Sequence, residues 1–356
     1  MTQEVVLTVS AYWVRAPLSR PYGLSFGTLT SFDLLIVRLV DSSGRIGYGE
    51  SCPVPPYSHE SAEEVWRRLI ETLPTLPGED VNGALSRLES RADSAESFSY
   101  VAVSTALESL AHPPQSRSDL TVPIVGTVLT HDIGDLPAEV ERLLDEGYRT
   151  LKVKVGFDPA DDLAAVALIK RCSAGLATLR LDANEAWNFE QTSAFLRKLD
   201  PDGIELLEQP FPRDRWDWVS AIEGTGSVPL MLDESISGDE SIERAAQAGA
   251  YIIKLKLMKV GTRSVLRQRI RHAQDLGLGV VIGNGVAGVV DNWYEALCAA
   301  GTGRAGEMNG NLKIADSVFD SRPYMENGNL KFPAGFDLKV DEAELSERSI
   351  RRVQYS

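Results

Sequence analysis

The sequence predicts an α/β protein whose larger part is a (β/α) barrel, preceded by a compact α+β unit. Three observations carry this expectation. From residue 120 onward, short β-branched or apolar runs recur about every 25–30 residues, with amphipathic segments between them. Before that point strands come first and helices follow, the order of an α+β unit. The competing architecture, a doubly wound open sheet, usually carries a Gly-rich phosphate loop, and neither GxGxxG nor GxxxxGK[ST] occurs.

The elements follow in order. "VVLTVSAYWVRAPL" and "FDLLIVRLVDSSGRIGYGE", within residues 1–50, alternate or run apolar and read as strands, with "DSSGRIG" as a turn. Residues 60–75 and 99–111 have helical spacing. The barrel runs are 122–129, 148–155, 176–183, 203–210, 228–235, 250–257 and 277–284, and a weak eighth lies near "RAGEMN" at 304–309. Segments such as "DDLAAVALIKRC", "FEQTSAFLRKL" and "SVLRQRIRHAQDLG" supply helices between them. Residues 317–356 are loop-rich and are expected to pack back on the N-terminal unit.

Bulk properties narrow the function. A length of 356 residues suits two domains, and a hydrophobic fraction of 43% allows an ordinary core. A net charge of −15 argues against a general basic surface for DNA or RNA. Cys52, Cys172 and Cys298 are scattered and odd in number, so neither a disulfide framework nor a zinc cluster is expected, and a reducing, cytoplasmic compartment fits. The N-terminus lacks the pattern of a signal peptide, and no apolar run approaches the roughly 18–20 residues that span a bilayer.

The chemistry is written at the ends of the barrel runs, where functional residues of such barrels sit. Lys152 and Lys154, two apart in "LKVKVG", point to one face of a strand. The next three runs end in Asp182, Glu208 and Asp233, one carboxylate per β/α unit, and the sixth ends in Lys256. A lone carboxylate after a strand is commonly a helix N-cap. Three on consecutive strands, each behind an apolar run, would repel one another and suffer desolvation. A hard divalent cation relieves both costs, and an oxygen-only donor set suits Mg²⁺, or Mn²⁺. A second ammonium beside Lys154, together with partial desolvation, disfavours its protonated form, so Lys154 is the expected general base. Lys152 is expected to stay charged and to contact a substrate carboxylate. Lys256 arrives from across the barrel, which allows two lysines to serve two faces of one substrate. Abstraction of a proton α to a carboxylate gives an enediolate, whose two charged oxygens a divalent cation stabilises.

At these residues the chain resembles the enolase superfamily, in the muconate lactonizing enzyme-like part of the mandelate racemase/muconate lactonizing enzyme group, over nearly its whole length. "LKVKVG" is similar to the family KxK motif, whose second lysine is here Lys154. "LDANEAW", "LLEQP" and "LDES" resemble the three metal-ligand motifs, which implies Asp182, Glu208 and Asp233 as ligands. "IKLKLMKVG" resembles the strand-six lysine motif, and its register implies Lys256, not Lys254 or Lys259. Lys or His bases beside Mg²⁺ are the general pattern of that superfamily.

The resemblance implies a modified TIM barrel over residues 121–316, a capping domain over 1–120 and a C-terminal segment, 317–356, completing the cap. It implies covering loops at 17–29 and 50–60, with Tyr22, Phe26, Pro56 and Tyr57 as candidates for substrate contact. Lys152, Asn284 and Glu307 join that set, and Asn184 and Glu234 are candidates for orienting the metal ligands. The His–Asp pair of mandelate racemase-type members is missing, since strand seven reads "VVIGNGVAG". The DxD motif of dipeptide epimerases reduces to Asp316 in "NLKIADSVF". The implied activity is a Mg²⁺-dependent isomerase, a racemase, epimerase or cycloisomerase, acting on a small carboxylate. The alternatives are a dehydratase, such as an o-succinylbenzoate synthase-like or hydroxy-acid lyase, and a catalytically silent metal-binding relative. A homo-oligomer without nucleic-acid or membrane partners completes the expectation.

Overall fold

The computed structural model describes residues 4–24, 27–55, 58–90, 98–116, 118–130, 132–222 and 228–356. Its N-terminal part is an antiparallel sheet. Strands β1 (Val6–Leu24), β2 (Gly27–Asp41) and β3 (Ile46–Ser51) are followed by helices α1 (Ala62–Thr72), α2 (Val81–Glu89) and α3 (Phe98–Ala111). The near-continuous apolar runs have a simple cause: both faces of this sheet are covered. Val9, Ala11 and Trp13 join Leu35, Val37 and Leu39 in a core shared with the three helices. The alternate residues Tyr12, Val14, Leu34 and Ile36 belong to the core shared with the barrel. Helix α1 starts at a capping box, in which Ser61 and Glu64 satisfy each other's backbone amides. Helix α3 is buried along almost its whole length, and β3 admits it through Gly49, whose β-carbon would lie 1.9 Å from the Ala102 carbonyl oxygen. Helix α2, inside a stretch without a sequence-predicted element, is capped by Asp80.

The second part alternates strand and helix: β4 (Leu120–Pro123), β5 (Gly126–Val128), α4 (Leu136–Asp145), β6 (Thr150–Lys154), α5 (Pro159–Ser173), β7 (Thr178–Asp182), α6 (Phe189–Lys198), β8 (Ile204–Glu208), α7 (Trp216–Ile222), β9 (Leu230–Leu232), α8 (Asp239–Gln247), β10 (Ile252–Leu255), α9 (Arg263–Asp275), β11 (Gly279–Ile282) and α10 (Val289–Ala299). Strands β5 to β11 form one parallel sheet in sequence order. The weak eighth run closes it. Gly306 exchanges backbone hydrogen bonds with Pro123 and Val125 on one side, and the Glu307 amide donates to the Ile282 carbonyl on the other. The inward residues Leu206, Met231, Ile252 and Val281 pack together as a separate small cluster. Two positions further along their strands stand Glu208, Asp233, Lys254 and Gly283, so the interior turns from apolar to charged toward the C-terminal mouth.

The expectation that residues 317–356 pack on the cap needs dividing. Strand β14 (Ser349–Tyr355), entered through α11 (Glu342–Arg348), pairs antiparallel with β1 from Val9↔Tyr355 to Trp13↔Arg351. Strand β12 (Tyr324–Glu326) instead pairs with β13 (Asn329–Phe332), and β13 with β4, at the end where the barrel strands begin. Asn327 and Gly328, both at positive φ, turn this hairpin, and Trp293 of α10 holds Phe332 and Phe336 in ring contact. Cap and barrel also meet at Glu50, which ends the "GYGE" run of β3. Its Oε1 accepts the Gly288 amide at 2.5 Å, at the start of α10. Among the described residues no helix is long and apolar enough to cross a membrane.

Candidate active site

Strand register sets the geometry. Lys154 of β6 lies beside Asp182 of β7, and Asp182 beside Glu208 of β8. Asp233 follows β9 directly and Lys256 follows β10 directly, which brings the five chain ends to one level. The Lys154 ammonium donates to Asp182 Oδ2 at 2.6 Å and also bonds Asn184 Oδ1. Lys256 pairs with Asp233 Oδ2 at 2.7 Å.

Depth divides the lysines into two kinds. The side chains of Lys154 and Lys256 are 35% and 20% exposed, those of Lys152 and Lys254 only 9% and 1%. Lys152 bridges Asp182 at 2.8 Å, Glu208 at 2.9 Å and Glu307 at 3.1 Å. Lys254 pairs with Glu208 and reaches Glu307 at 3.0 Å. Lys152 and Glu307, both expected at the substrate, pair with each other in this structure. One pleat period below the mouth, they neutralise each other and the floor of the site. Gly283 leaves room for this, since a β-carbon there would meet the Lys254 stem at 3.1 Å.

Electrostatics follow burial first. Burial, with Asp182 next to it, pushes the Glu208 carboxyl up to about 7 against the pull of Lys152 and Lys254. Burial also works against ionised Asp182, but Lys152 and Lys154 outweigh it and hold the carboxyl below its usual range. Asp233 is likewise held well below that range, with Lys256, Lys254 and Lys259 overcoming its burial. Lys256 is desolvated, yet Asp233 keeps its proton affinity above the ordinary value.

The supporting side chains are equally specific. Asn184, at φ 43°, takes a left-handed turn that asparagine tolerates. Its amide Nδ2 donates to Glu234 Oε1 at 3.1 Å, and its backbone N–H to Asp182 Oδ1 at 3.1 Å. Fully buried Gln209 accepts at Oε1 from the backbone amides of Asp233 (3.0 Å) and Ser235 (3.2 Å), and donates through Nε2 to the Phe211 carbonyl and Ser235 Oγ. Lys259 donates to the carbonyls of Asp233 (2.8 Å) and Ile236 (2.9 Å).

Sequence reasoning did not single out Gln209, and it set Lys254 and Lys259 aside. Lys254 carried a signal: it precedes Lys256 by two, the same one-face spacing that marked Lys152 and Lys154. Asn284 is buried with its Oδ1 accepting the Val286 amide at 3.2 Å. Tyr22 lies on the cap hairpin, which is stitched to the end of the eighth stave by the Ala315 amide donating to the Pro17 carbonyl at 2.8 Å. Phe26, Pro56 and Tyr57 lie outside the described residues.

Ammonium groups stand between the carboxylates in this arrangement. Among the described residues no three His, Cys, Asp or Glu side chains come together closely enough to hold a metal ion. The donor set itself fits a hard divalent cation. It is all carboxylate, it comes from three adjacent strands, and Glu234 Oε2 is buried beside it with no hydrogen-bond partner among the described residues. Lys154 and Lys256, partly exposed on flexible stems, are the groups that can yield.

The family model described as enolase C-terminal domain-like matches residues 135–342. Muconate cycloisomerase 1 of Rhodococcus opacus is 28% identical over 368 residues, covering 96% of this chain and 97% of its own. The aromatic dipeptide epimerase of Herpetosiphon aurantiacus is 28% identical over 318 residues, covering 84% of this chain and 87% of its own. The solved N-succinyl Arg/Lys racemase from Bacillus cereus superposes with a TM-score of 0.88 at 21% identity, over 99% of this chain and 100% of its own, a likeness of fold. By its matched domain, its relatives and its capped barrel, the chain belongs to the enolase C-terminal domain-like family, in the mandelate racemase/muconate lactonizing enzyme group of the enolase superfamily.

Proposed function

We propose that this chain is a Mg²⁺-dependent acid/base isomerase that removes and returns the proton α to a carboxylate of a small substrate. The observation that carries the reading is the pair of partly exposed lysines flanking three buried carboxylates. Lys154 takes or delivers the proton on one face of the substrate, and Lys256 does so on the other or supports the enediolate electrostatically. Asp182, Glu208 and Asp233 would hold Mg²⁺, with Mn²⁺ as the substitute, and Asn184 and Glu234 orient them. Mg²⁺, when bound, supplies Lewis-acid stabilisation of negative charge on the two carboxylate oxygens. Lys152 and Lys254 pair with Glu208 and Glu307 beneath the substrate and offset their charge. Names among the relatives, cycloisomerase and epimerase, support isomerisation over elimination. The three cysteines are unpaired, in keeping with a reducing, cytoplasmic compartment.

The test is isotope exchange. The Mg²⁺-loaded protein in D₂O is offered N-acylamino acids, dipeptides, sugar acids and muconate-type acids, and mass spectrometry reads the gain of one deuterium. Exchange by the wild type, lost for one enantiomer with Lys154→Ala and lost altogether on EDTA treatment until Mg²⁺ is restored, is the expected result. Exchange that survives metal removal contradicts the reading.

A further inference from the structure

The chain ends that meet at the barrel mouth are not held alike. The amide after Lys154, that of Val155, donates to the Asp182 carbonyl at 2.9 Å. The amide after Asp182 donates to the Glu208 carbonyl at 3.2 Å, and the amide after Glu208 to the Met231 carbonyl at 2.9 Å. In each case the backbone of the next strand grips the peptide plane that leaves the functional residue. At Lys256 the grip is of another kind. The ladder between β10 and β11 ends at Leu255, paired with Ile282, and the chain passes into a single 3₁₀ turn, Leu257–Lys259. The amide after Lys256, that of Leu257, donates to a side chain, Glu295 Oε1, at 3.1 Å.

Glu295 lies on α10 and is fully buried. Its Oε2 accepts from Asn292 Nδ2 at 3.1 Å, one helical turn back, and Asn292 Oδ1 accepts the Asn311 amide at 3.0 Å. The Asn311 bond settles which end of the Asn292 amide faces Glu295, so both carboxylate oxygens face donors. Burying a carboxylate is costly, and a leucine would fill similar space without that cost. A leucine could not hold the Leu257 amide. That amide belongs to the rigid plane that contains the Lys256 α-carbon and carbonyl, and the carbonyl accepts the Lys259 amide at 3.0 Å. The far end of the turn is tied to the cap, where Ser104 Oγ of α3 donates to the Gly261 carbonyl at 2.9 Å. Glu295 thus fixes the entry of the turn that carries Lys256, where no ladder reaches.

We propose that Glu295 is the positioning residue of Lys256. By holding the Leu257 amide it sets the peptide plane from which the Lys256 side chain springs, and it serves proton transfer on that face of the substrate alone. Lys154 needs no counterpart, because the Asp182 carbonyl does the same for it. This rests on the proposed acid/base role of Lys256, and it adds a residue that touches neither substrate nor metal ligand.

Three variants of the Mg²⁺-loaded full chain test it. Glu295→Leu removes both acceptors. Glu295→Asp keeps the charge and draws the oxygens back by one methylene. Glu295→Gln keeps the reach and one acceptor. Exchange in D₂O is followed separately for the two enantiomers of whichever N-acylamino acid, dipeptide, sugar acid or muconate-type acid the wild type exchanges, and Lys256→Ala identifies the enantiomer that depends on Lys256. Glu295→Leu and Glu295→Asp should lower kcat for that enantiomer by roughly 10–100-fold, the scale of a misplaced reacting group, with KM within about 3-fold. Exchange of the other enantiomer should stay within about 2-fold, and Glu295→Gln should keep both. Equal loss of both enantiomers, or loss of neither in a folded variant, overturns the proposal, and Glu295→Asp decides if Glu295→Leu does not fold. A second readout needs no turnover: trace acylation by acetic anhydride, read by peptide mass spectrometry. The ratio of Lys256 to Lys154 labelling should change at least about 3-fold in Glu295→Asp and hold its wild-type value in Glu295→Gln. An unchanged ratio in Glu295→Asp overturns the proposal, and this ratio alone decides if Lys256→Ala lowers both enantiomers. A wild type without exchange, whose ratio still shifts in Glu295→Asp, removes the chemistry and leaves the positioning.

Discussion

Lys154 and Lys256 stand on the two strands that bracket the three carboxylate-bearing strands, each bonded to the carboxylate nearest it, Lys154 to Asp182 at 2.6 Å and Lys256 to Asp233 at 2.7 Å. Two bases on opposite flanks of one substrate act on opposite faces. Lys154→Ala and Lys256→Ala should therefore each lower α-proton exchange by roughly 10²–10⁴-fold, but for opposite enantiomers. Deuterium uptake followed separately for the two enantiomers checks this. Equal loss for both in either variant would mean that the lysines do not divide the faces.

Metal binding should be visible without turnover. Mg²⁺ at about 100 times its dissociation constant stabilises the folded chain by about 2.7 kcal/mol if it binds only the native state. A rise in melting temperature with MgCl₂, matched in ionic strength by NaCl, is expected for the wild type and should vanish in Asp233→Asn. No rise in the wild type would remove the three carboxylates from the role of ligands.

Gln209 fixes Asp233 through the backbone. Gln209→Leu leaves the amides of Asp233 and Ser235 without their acceptor, a cost of about 1–3 kcal/mol. Denaturant unfolding should show that loss. Magnesium affinity should fall by roughly 10–100-fold, the scale typical of removing a group that orients a ligand. Unchanged affinity would show that Gln209 does not position Asp233 for the metal.

The junction of cap and barrel should make stability pH-dependent. Burial pushes Glu50 and Glu295 up to about 7, and burial with the charge of Glu50 pushes Asp291 well above its usual range. The native chain therefore keeps protons that the unfolded chain sheds above about pH 4.5, so stability falls as pH rises through 7. Asp182, Asp233 and Glu307, all shifted downward, act only at lower pH. Melting temperatures from pH 5 to 7.5 should decline, and decline less in Asp291→Asn. Equal slopes would exclude this junction as the cause.

The barrel was legible because each strand repeats one rule: an apolar run, then a charge at its end. The bracketing of Asp182, Glu208 and Asp233 by Lys154 and Lys256 follows from strand order alone. Depth was not legible. Lys152 and Lys154 look equivalent in sequence, but one pleat period separates a buried counter-ion from a partly exposed base. The roles of Gln209 and Lys259 depend on backbone atoms of the turn after β9, which their side chains reach from the turns after β8 and β10, and a linear pattern does not record those. The β12–β13 hairpin escaped notice because its strands are only three and four residues long. The cap sheet showed its strands but not its two covered faces, which become apparent only when the barrel lies against one of them.

The eighth stave joins the ring through Gly306 with Pro123 and Val125 and through Glu307 with Ile282. It is also the segment that delivers Glu307 to Lys152 and Lys254. If this seam parted, two buried ammonium groups would lose a shared counter-charge, a loss of about 3–5 kcal/mol on the scale of broken buried ion pairs. The closure of the barrel is thus held by charge as well as by hydrogen bonds.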